Sequence, residues 1–365
     1  MVNLTVNEFA PDYAVPPGEI LEETLTSRGI KKAEFAERCG LSAKTISQII
    51  GGKAPVMPQT AIQFERVLGV SAAIWNNLES YYRLHLAEQA VRETLKSEVA
   101  WANRFPVREL EERGYIGPVK DDVDAVEKLL NFFAVGSVKA WNERHHRLQA
   151  AFRGSPSFKS APESVVAWLR IGELAGDTIS TEPYDRKKFV AVLHHIRTLT
   201  QASPKQIDYF MKEWCRQAGV ALVLEPELPG TRLNGATRWL TGDKALIMLS
   251  LRYKWEDIFW FTFFHEAAHI LLHGKRNRFL EDQGVSSSSD EEEAADRFAA
   301  DMLIPPVAHR DFIKRDRLYR ADILAFAKEV DIAPGVVVGR LQYDRHIESS
   351  WHNRLRRRYR LKPKS

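Results

Sequence analysis

The rhythm of apolar residues changes three times along the chain, and each rhythm predicts its own kind of element. From Ile30 to Lys53, IKKAEFAERCGLSAKTISQIIGGK reads as two short helices: Phe35 and Ala36 lie inside the first, Gly40 makes the turn, Ser42 caps the second, and Ile46, Ile49 and Ile50 face inward. From Glu88 to Ser203 the pattern stays mostly helical. Breaks fall at Phe105–Pro106, Gly117–Pro118, Gly154–Pro156 and Glu182–Pro183, and Trp101, Trp141 and Trp168 offer large apolar faces. The rhythm then shortens to β-rich runs, VALVLEP from Val220, ATRWL from Ala236 and ALIMLS from Ala245, separated by Pro229, Gly230, Gly235 and Gly242. These predict a small antiparallel sheet. The next apolar run, WFTFFHEAAHILLHG, has no Pro or Gly before Gly274 at the C-cap position, so Asp257 to Leu272 is predicted as a buried helix against that sheet. After it, SSSSDEEEAADRFAADMLIPP opens with helix-start signals and becomes amphipathic, with Phe298 and Met302 toward the core.

Composition narrows the setting without choosing the chemistry. With 365 residues, 44% of them hydrophobic, the chain can build two or three domains, and no run is long enough to span a bilayer. The opening MVNLTVNEFAPDY has neither a basic n-region nor an apolar core, which points to the cytoplasm. Cys39 and Cys215 fall in predicted helices of different domains and are expected as reduced thiols. The net charge of +4 is mild, but the tail HNRLRRRYRLKPKS gathers Arg354, Arg356, Arg357, Arg358, Arg360, Lys362 and Lys364 with no acid among them. Such a cluster either touches phosphates non-specifically or keeps a frayed terminus soluble. The pairs His145–His146 and His194–His195 speak against metal binding, because helical neighbours point about 100° apart.

The chemistry is concentrated in HEAAH, His265 to His269. On a helix a spacing of four puts both imidazoles on one face, one turn apart, as two zinc ligands require. Glu266, beside the first, is placed to act as general base on a zinc-activated water, the chemistry of a metallopeptidase. The extended HExxHxxGxxH pattern is excluded, because Leu272 and Lys275 stand where it needs Gly and His. The third ligand is therefore expected from the following acidic helix. There Glu292 and Asp296 lie four apart on the face of Ala299, with Glu292 as ligand and Asp296 as the acceptor that orients a histidine N–H. Glu291 and Glu293 read as charges complementing the helix dipole, and either becomes the ligand if the register shifts by one.

HEAAHILLHG, EEEAADRFAADMLIP and IAPGVVVGRLQ (Ile332 to Gln342) together resemble the ImmA/IrrE family of zinc metallo-endopeptidases. The family's second motif, ExxA(N/D)xFA, aligns with Ala295, Asp296, Phe298 and Ala299 and places its Glu at Glu292. The resemblance spans roughly Gln206 to Ile347 and implies intracellular proteolysis of a regulatory protein, often a repressor encoded nearby. In peptidases of this layout an edge strand commonly pairs with extended substrate. Trp239 and Arg238 are candidates to line that groove, with core packing and surface charge as their alternative roles. His273, Tyr253 and Arg340 are candidates to stabilise an oxyanion. Ser286 to Ser289 are expected as a loop over the zinc cleft.

At the other end, the two short helices form a helix-turn-helix pattern. Ala43, Lys44, Ser47 and Gln48 would enter the major groove, with Gln48 suited to adenine and Lys44 to guanine or a phosphate, while Thr45 and Lys53 lie nearer the backbone phosphates and the cap Ser42 is counted with the DNA-binding residues. From Pro17 to about Ala87 the chain resembles HigA-type antitoxins of the XRE (lambda-repressor-like) class: PGEIL, GLSAKTISQIIGGK and LGVSAAIWNNLE are all in place. That resemblance implies a homodimer on a palindromic operator in double-stranded DNA, repression of its own promoter, and capture of a toxin; the alternative is a five-helix bundle that serves only protein contacts.

The expected fold is multidomain and mainly α: an all-α helix-turn-helix domain over 1–88, a helical linker or sensor over 89–205, an α+β zincin-like domain with a small antiparallel sheet over 206–350, and a basic tail over 351–365. The expected function is a DNA-binding regulator fused to a zinc endopeptidase that cuts a repressor, an antitoxin or itself. The alternative is an antitoxin or repressor whose peptidase fold is catalytically silent and senses a ligand or partner.

Overall fold

Five helices build the first of the two units into which the chain divides, Met1–Glu98 and Val99–Ser365. The computed structural model describes residues 14–145, 161–250, 252–272, 289–315 and 318–360. In the first unit, α1 (Pro17–Ser27), α2 (Lys32–Cys39), α3 (Ala43–Ile50), α4 (Pro58–Leu68) and α5 (Ala72–Lys96) enclose Leu21, Leu25, Phe35, Ile46, Ile49, Phe64 and Trp75. Gly40 has φ 66°, a left-handed conformation that side chains disfavour, and it ends α2. Ser42 then opens α3 by accepting the Thr45 N–H at 3.0 Å, a cap that typically contributes about 1 kcal/mol. The isoleucine spacing buries Ile46 and Ile49 completely and Ile50 in part, so the opposite face of α3 is left to solvent.

The second unit is layered on a three-stranded sheet. After the short helices Val99–Ala102 and Val107–Glu112 come α6 (Asp122–Phe132), α7 (Pro162–Thr178), α8 (Arg186–Thr198) and α9 (Pro204–Gln217), then β1 (Val220–Leu224), β2 (Gly235–Thr241) and β3 (Lys244–Leu249). The strand order is β1-β3-β2. Here the expected antiparallel sheet is corrected to a mixed one: β2 runs antiparallel to β3, but β1 runs parallel to it, Val220 opposite Ala245. β2 and β3 are joined by a turn of only two residues, Gly242 and Asp243, which forces an antiparallel pair. β1 reaches the far side of β3 by a longer connection and, buried as fully as β3, pairs with it in the parallel sense found for strands covered on both faces.

Beyond the sheet lie α10 (Glu256–Leu272), α11 (Ser289–Leu303), α12 (Pro306–Lys314), α13 (Arg320–Glu329) and α14 (Pro334–Tyr343). α10 is apolar nearly all round because it is buried nearly all round, with Phe259, Trp260, Phe263, Phe264, Ala267, Ala268, Ile270 and Leu271 in the core.

The residues expected as a middle region, 89–205, are shared between the units. Residues 89–96 continue α5, whereas α7 packs on the sheet, where Trp168 Nε1 donates to the Glu225 carbonyl at 3.2 Å. The basic tail is also folded as far as the description reaches. Arg356 makes a two-pronged pair with Asp257, both contacts 2.8 Å, and Arg357 meets Glu256 through Nε (2.5 Å) and its backbone N–H (2.8 Å). Glu256 is fully buried, and a buried carboxylate is costly unless paired. Two of the tail's cations therefore clamp the start of α10 instead of fraying.

Candidate metal centre and nucleic-acid interface

α10 and α11 run alongside each other so that one turn of the first faces one turn of the second. His265 Nδ1 lies 2.8 Å from Asp296 Oδ1, which leaves Nε2 pointing to the same spot as its neighbours. Nε2 of His265 is 3.0 Å from Nε2 of His269 and 3.2 Å from Glu292 Oε2, and His269 Nε2 is 3.5 Å from Glu292 Oε1. Donors held about 2.0–2.2 Å from a tetrahedral zinc stand roughly 3.4 Å apart. The observed separations bracket that value, so the His, His and Glu donors can hold a metal ion. Burial alone lowers the pKa of His265, but its bonds to Asp296 and Glu292 and the charge of Glu266 outweigh it and raise the value to about 10. Of the three neighbouring glutamates, only Glu292 joins this group; Glu293 is exposed.

Glu266 is 7% exposed and is gripped by the sheet. Thr237 on β2 donates its hydroxyl to Glu266 Oε2 at 2.6 Å, with the Glu266 carbonyl 3.0 Å away. Gly235, two residues earlier on the same face, makes room for the carboxylate: a Cβ there would lie 2.8 Å from Glu266 Oε1 and 2.6 Å from Thr262 Cγ2. Sequence reasoning missed both residues. Strand alternation puts 235 and 237 on one face, but only the packing of β2 on α10 shows that this face meets Glu266.

The other candidates separate. Tyr253 stacks with Arg252 (4.8 Å), and Arg340 pairs with Asp344 (2.7 Å), so no described contact brings either to the triad. His273 and Ser286 to Ser288 lie outside the described residues, and Ser289, expected in the same loop, is instead the first residue of α11. Arg238 pairs with Glu173, and Trp239 packs edge-on against Tyr184 at 4.9 Å. His145 stacks on Trp141 (4.5 Å) and His195 leans on Trp214 (5.9 Å). Both cysteines are buried and free, and burial pushes the Cys39 thiol up to about 11 and raises that of Cys215 as well.

On α3, Ala43, Lys44, Ser47 and Gln48 are exposed on one face, and Lys53 is exposed just beyond it. Ser42 is exposed but its oxygen serves the cap, and Thr45, half-buried, has its hydroxyl 2.8 Å from that oxygen. These two hydroxyls hold each other and the helix end.

Residues 21–75 match the helix-turn-helix family, and residues 235–342, from β2 to the end of α14, match the IrrE N-terminal-like domain, a peptidase family. An uncharacterized HTH-type transcriptional regulator of Escherichia coli (strain K12) is 35% identical over 75 residues, 20% of this chain and 80% of that protein. Virulence-associated protein I of Dichelobacter nodosus is 34% identical over 77 residues, 21% of this chain and 71% of that protein. Among solved structures, the Pseudomonas aeruginosa antitoxin HigA with the higBA promoter is 32% identical and covers 24% of this chain and 95% of that one, with a TM-score of 0.22. The chain thus belongs, through its first unit, to the helix-turn-helix transcriptional regulators and carries in its second a domain of the IrrE N-terminal-like peptidase family.

Proposed function

We propose that the protein is a transcriptional regulator that carries a zinc-dependent endopeptidase and hydrolyses peptide bonds in a regulatory protein: a repressor, an antitoxin or its own chain. The observation that carries this reading is the convergence of His265, His269 and Glu292 to within 3.0–3.5 Å of one another beside a buried, fixed Glu266. His265, His269 and Glu292 would hold the zinc, which when bound would supply Lewis acidity, polarising a carbonyl and making a water acidic near neutral pH. Glu266 takes the proton of the attacking water and returns it to the leaving nitrogen. Thr237 fixes the carboxylate, and Asp296 fixes the His265 tautomer by accepting its Nδ1–H.

The first unit gives this chemistry an address on double-stranded DNA. Ala43, Lys44, Ser47 and Gln48 read the major groove, and Ser42, Thr45 and Lys53 lie beside phosphates. A homodimer fits a palindromic operator, the protein's own promoter above all. Supporting this, α5 exposes Ile74, Tyr81, Leu84 and Val91, at spacings of seven, three and seven. The setting is the cytoplasm; no helix of the described residues is long and apolar enough to cross a membrane.

The test is metal content and cleavage together. Wild-type protein should hold one zinc per chain, His265→Ala and Glu292→Ala should lose it, and Glu266→Gln should keep it while cleaving no repressor or antitoxin offered as substrate. Full zinc in both ligand variants would remove the ligand assignment, and equal cleavage by Glu266→Gln would remove the base. Zinc retained without cleavage of any candidate would favour the silent sensor.

A further inference from the structure

The ends of α11, α12 and α14 border a cleft of about 250 Å³ that the proposed chemistry does not use. Its walls are Asp301, Ile304, Pro306, His309, Arg310 and Arg340. Arg340 gives only its Nε to Asp344 (2.7 Å), and both of its terminal NH2 groups are without a partner among the described residues. Arg310 is exposed, and among the described residues no hydrogen bond or ion pair engages it. His309 Nε2 is buried and, 3.5 Å from Asp344 Oδ2, lacks the alignment of a hydrogen bond. Two guanidinium groups and one imidazole thus border a single hollow with donor capacity to spare, and the planar fork of Arg matches a carboxylate.

We infer that this cleft binds a carboxylate, and that its fitting source is an acidic side chain of the polypeptide that the neighbouring triad is proposed to cut. Its size falls below the roughly 300–1,000 Å³ of sites that enclose a whole small molecule but admits one side chain over the apolar floor of Ile304 and Pro306. Asp301 on the wall suits a peptide N–H beside the carboxylate and disfavours a more highly charged phosphate. Position sets the reach. Asp296 and Asp301 are five residues apart on α11, about 7.5 Å along its axis and about 140° around it, so the cleft opens on a different flank of the helix from the triad. The Phe261 ring neighbours both His265 (6.2 Å) and Tyr343 (6.3 Å), the residue before Asp344. An extended chain advances about 3.3 Å per residue, so a substrate side chain needs to lie at least about three positions from the triad to reach around this flank into the cleft.

The polypeptide source rests on the peptidase reading, whereas carboxylate binding does not. The experiment therefore uses full-length Glu266→Gln protein and calorimetric titration with a capped hexapeptide carrying one Glu, its Gln twin, and glutarate. The Glu peptide should bind about tenfold tighter than the Gln twin or better. That ratio should fall to near one in Arg310→Met and in Arg340→Lys, which keeps a charge for Asp344 but loses the fork. Glutarate that binds saturably and as tightly as the Glu peptide would keep the site but assign it to a free carboxylic acid. Equal binding of both peptides without saturable glutarate binding, or a ratio that survives in both variants, would overturn the inference. Arg310 is exposed and unengaged, so its variant leaves the fold intact.

Discussion

Replacing Gly235 by alanine asks whether β2 is the wall that positions Glu266. The added Cβ would sit 2.6 Å from Thr262 Cγ2, 2.8 Å from Glu266 Oε1 and 2.9 Å from Glu266 Cγ. Carbon atoms essentially never approach so closely, so the Glu266 side chain or the strand must move by several tenths of an ångström. Neither can move cheaply, because Glu266 is 7% exposed and bound to Thr237 at 2.6 Å. Overpacking of this kind costs about 1–3 kcal/mol. Against it stands a gain of about 0.5–1 kcal/mol, because alanine restricts the unfolded chain more than glycine. The net loss, about 1 kcal/mol at mid-range, should lower the calorimetric melting temperature of a unit of this size by about 2–5 °C. Gly242→Ala is the matched control: it lies in the β2–β3 turn, where a Cβ meets nothing within 4 Å, so only the unfolded-chain gain acts and it should melt about 1–4 °C above wild type. If the two variants melt alike, and Gly235→Ala also cleaves as wild type does, β2 does not position the carboxylate.

Four further outcomes are expected. Thr237→Val, which keeps shape but removes the hydroxyl, should lower kcat with little change in KM, and Thr237→Ser should restore most of it; steady-state kinetics on a cleaved substrate reads both. Asp296→Asn should weaken zinc binding by about 10–100-fold in a chelator competition, because the His265 N–H loses its charged acceptor. Cys39 ionises only near pH 11. A raised thiol pKa means protonated sulfur below it, so at pH 8 only about one Cys39 in a thousand is thiolate, and Cys215 is still less ionised. A colorimetric disulfide reagent should therefore titrate neither thiol in native protein and both in guanidinium. Lys44→Ala or Gln48→Ala should each weaken operator binding by about 5–150-fold in a shift assay, the Gln48 change relaxing base choice at one position.

Much of this molecule was legible in its residue order. A period near 3.6 with Gly40 and Ser42 as punctuation marked the helix-turn-helix, because caps and left-handed turns are local preferences that need no distant partner. Spacing alone placed His265 and His269 on one face, and the same rule put Glu292 and Asp296 together on the next helix. What local rules cannot contain is which surfaces meet. The parallel pairing of β1 with β3 depends on where the connection between them runs and on which strands end up covered on both faces, not on any strand's own preference. The bond from Thr237 to Glu266 joins residues 29 apart, and the pairing of Arg357 with buried Glu256 joins residues 101 apart. The tail read as solvent-facing charge became an internal clamp for the same reason. Composition states how much charge a segment carries, but only the packed chain decides whether that charge meets water or a buried carboxylate.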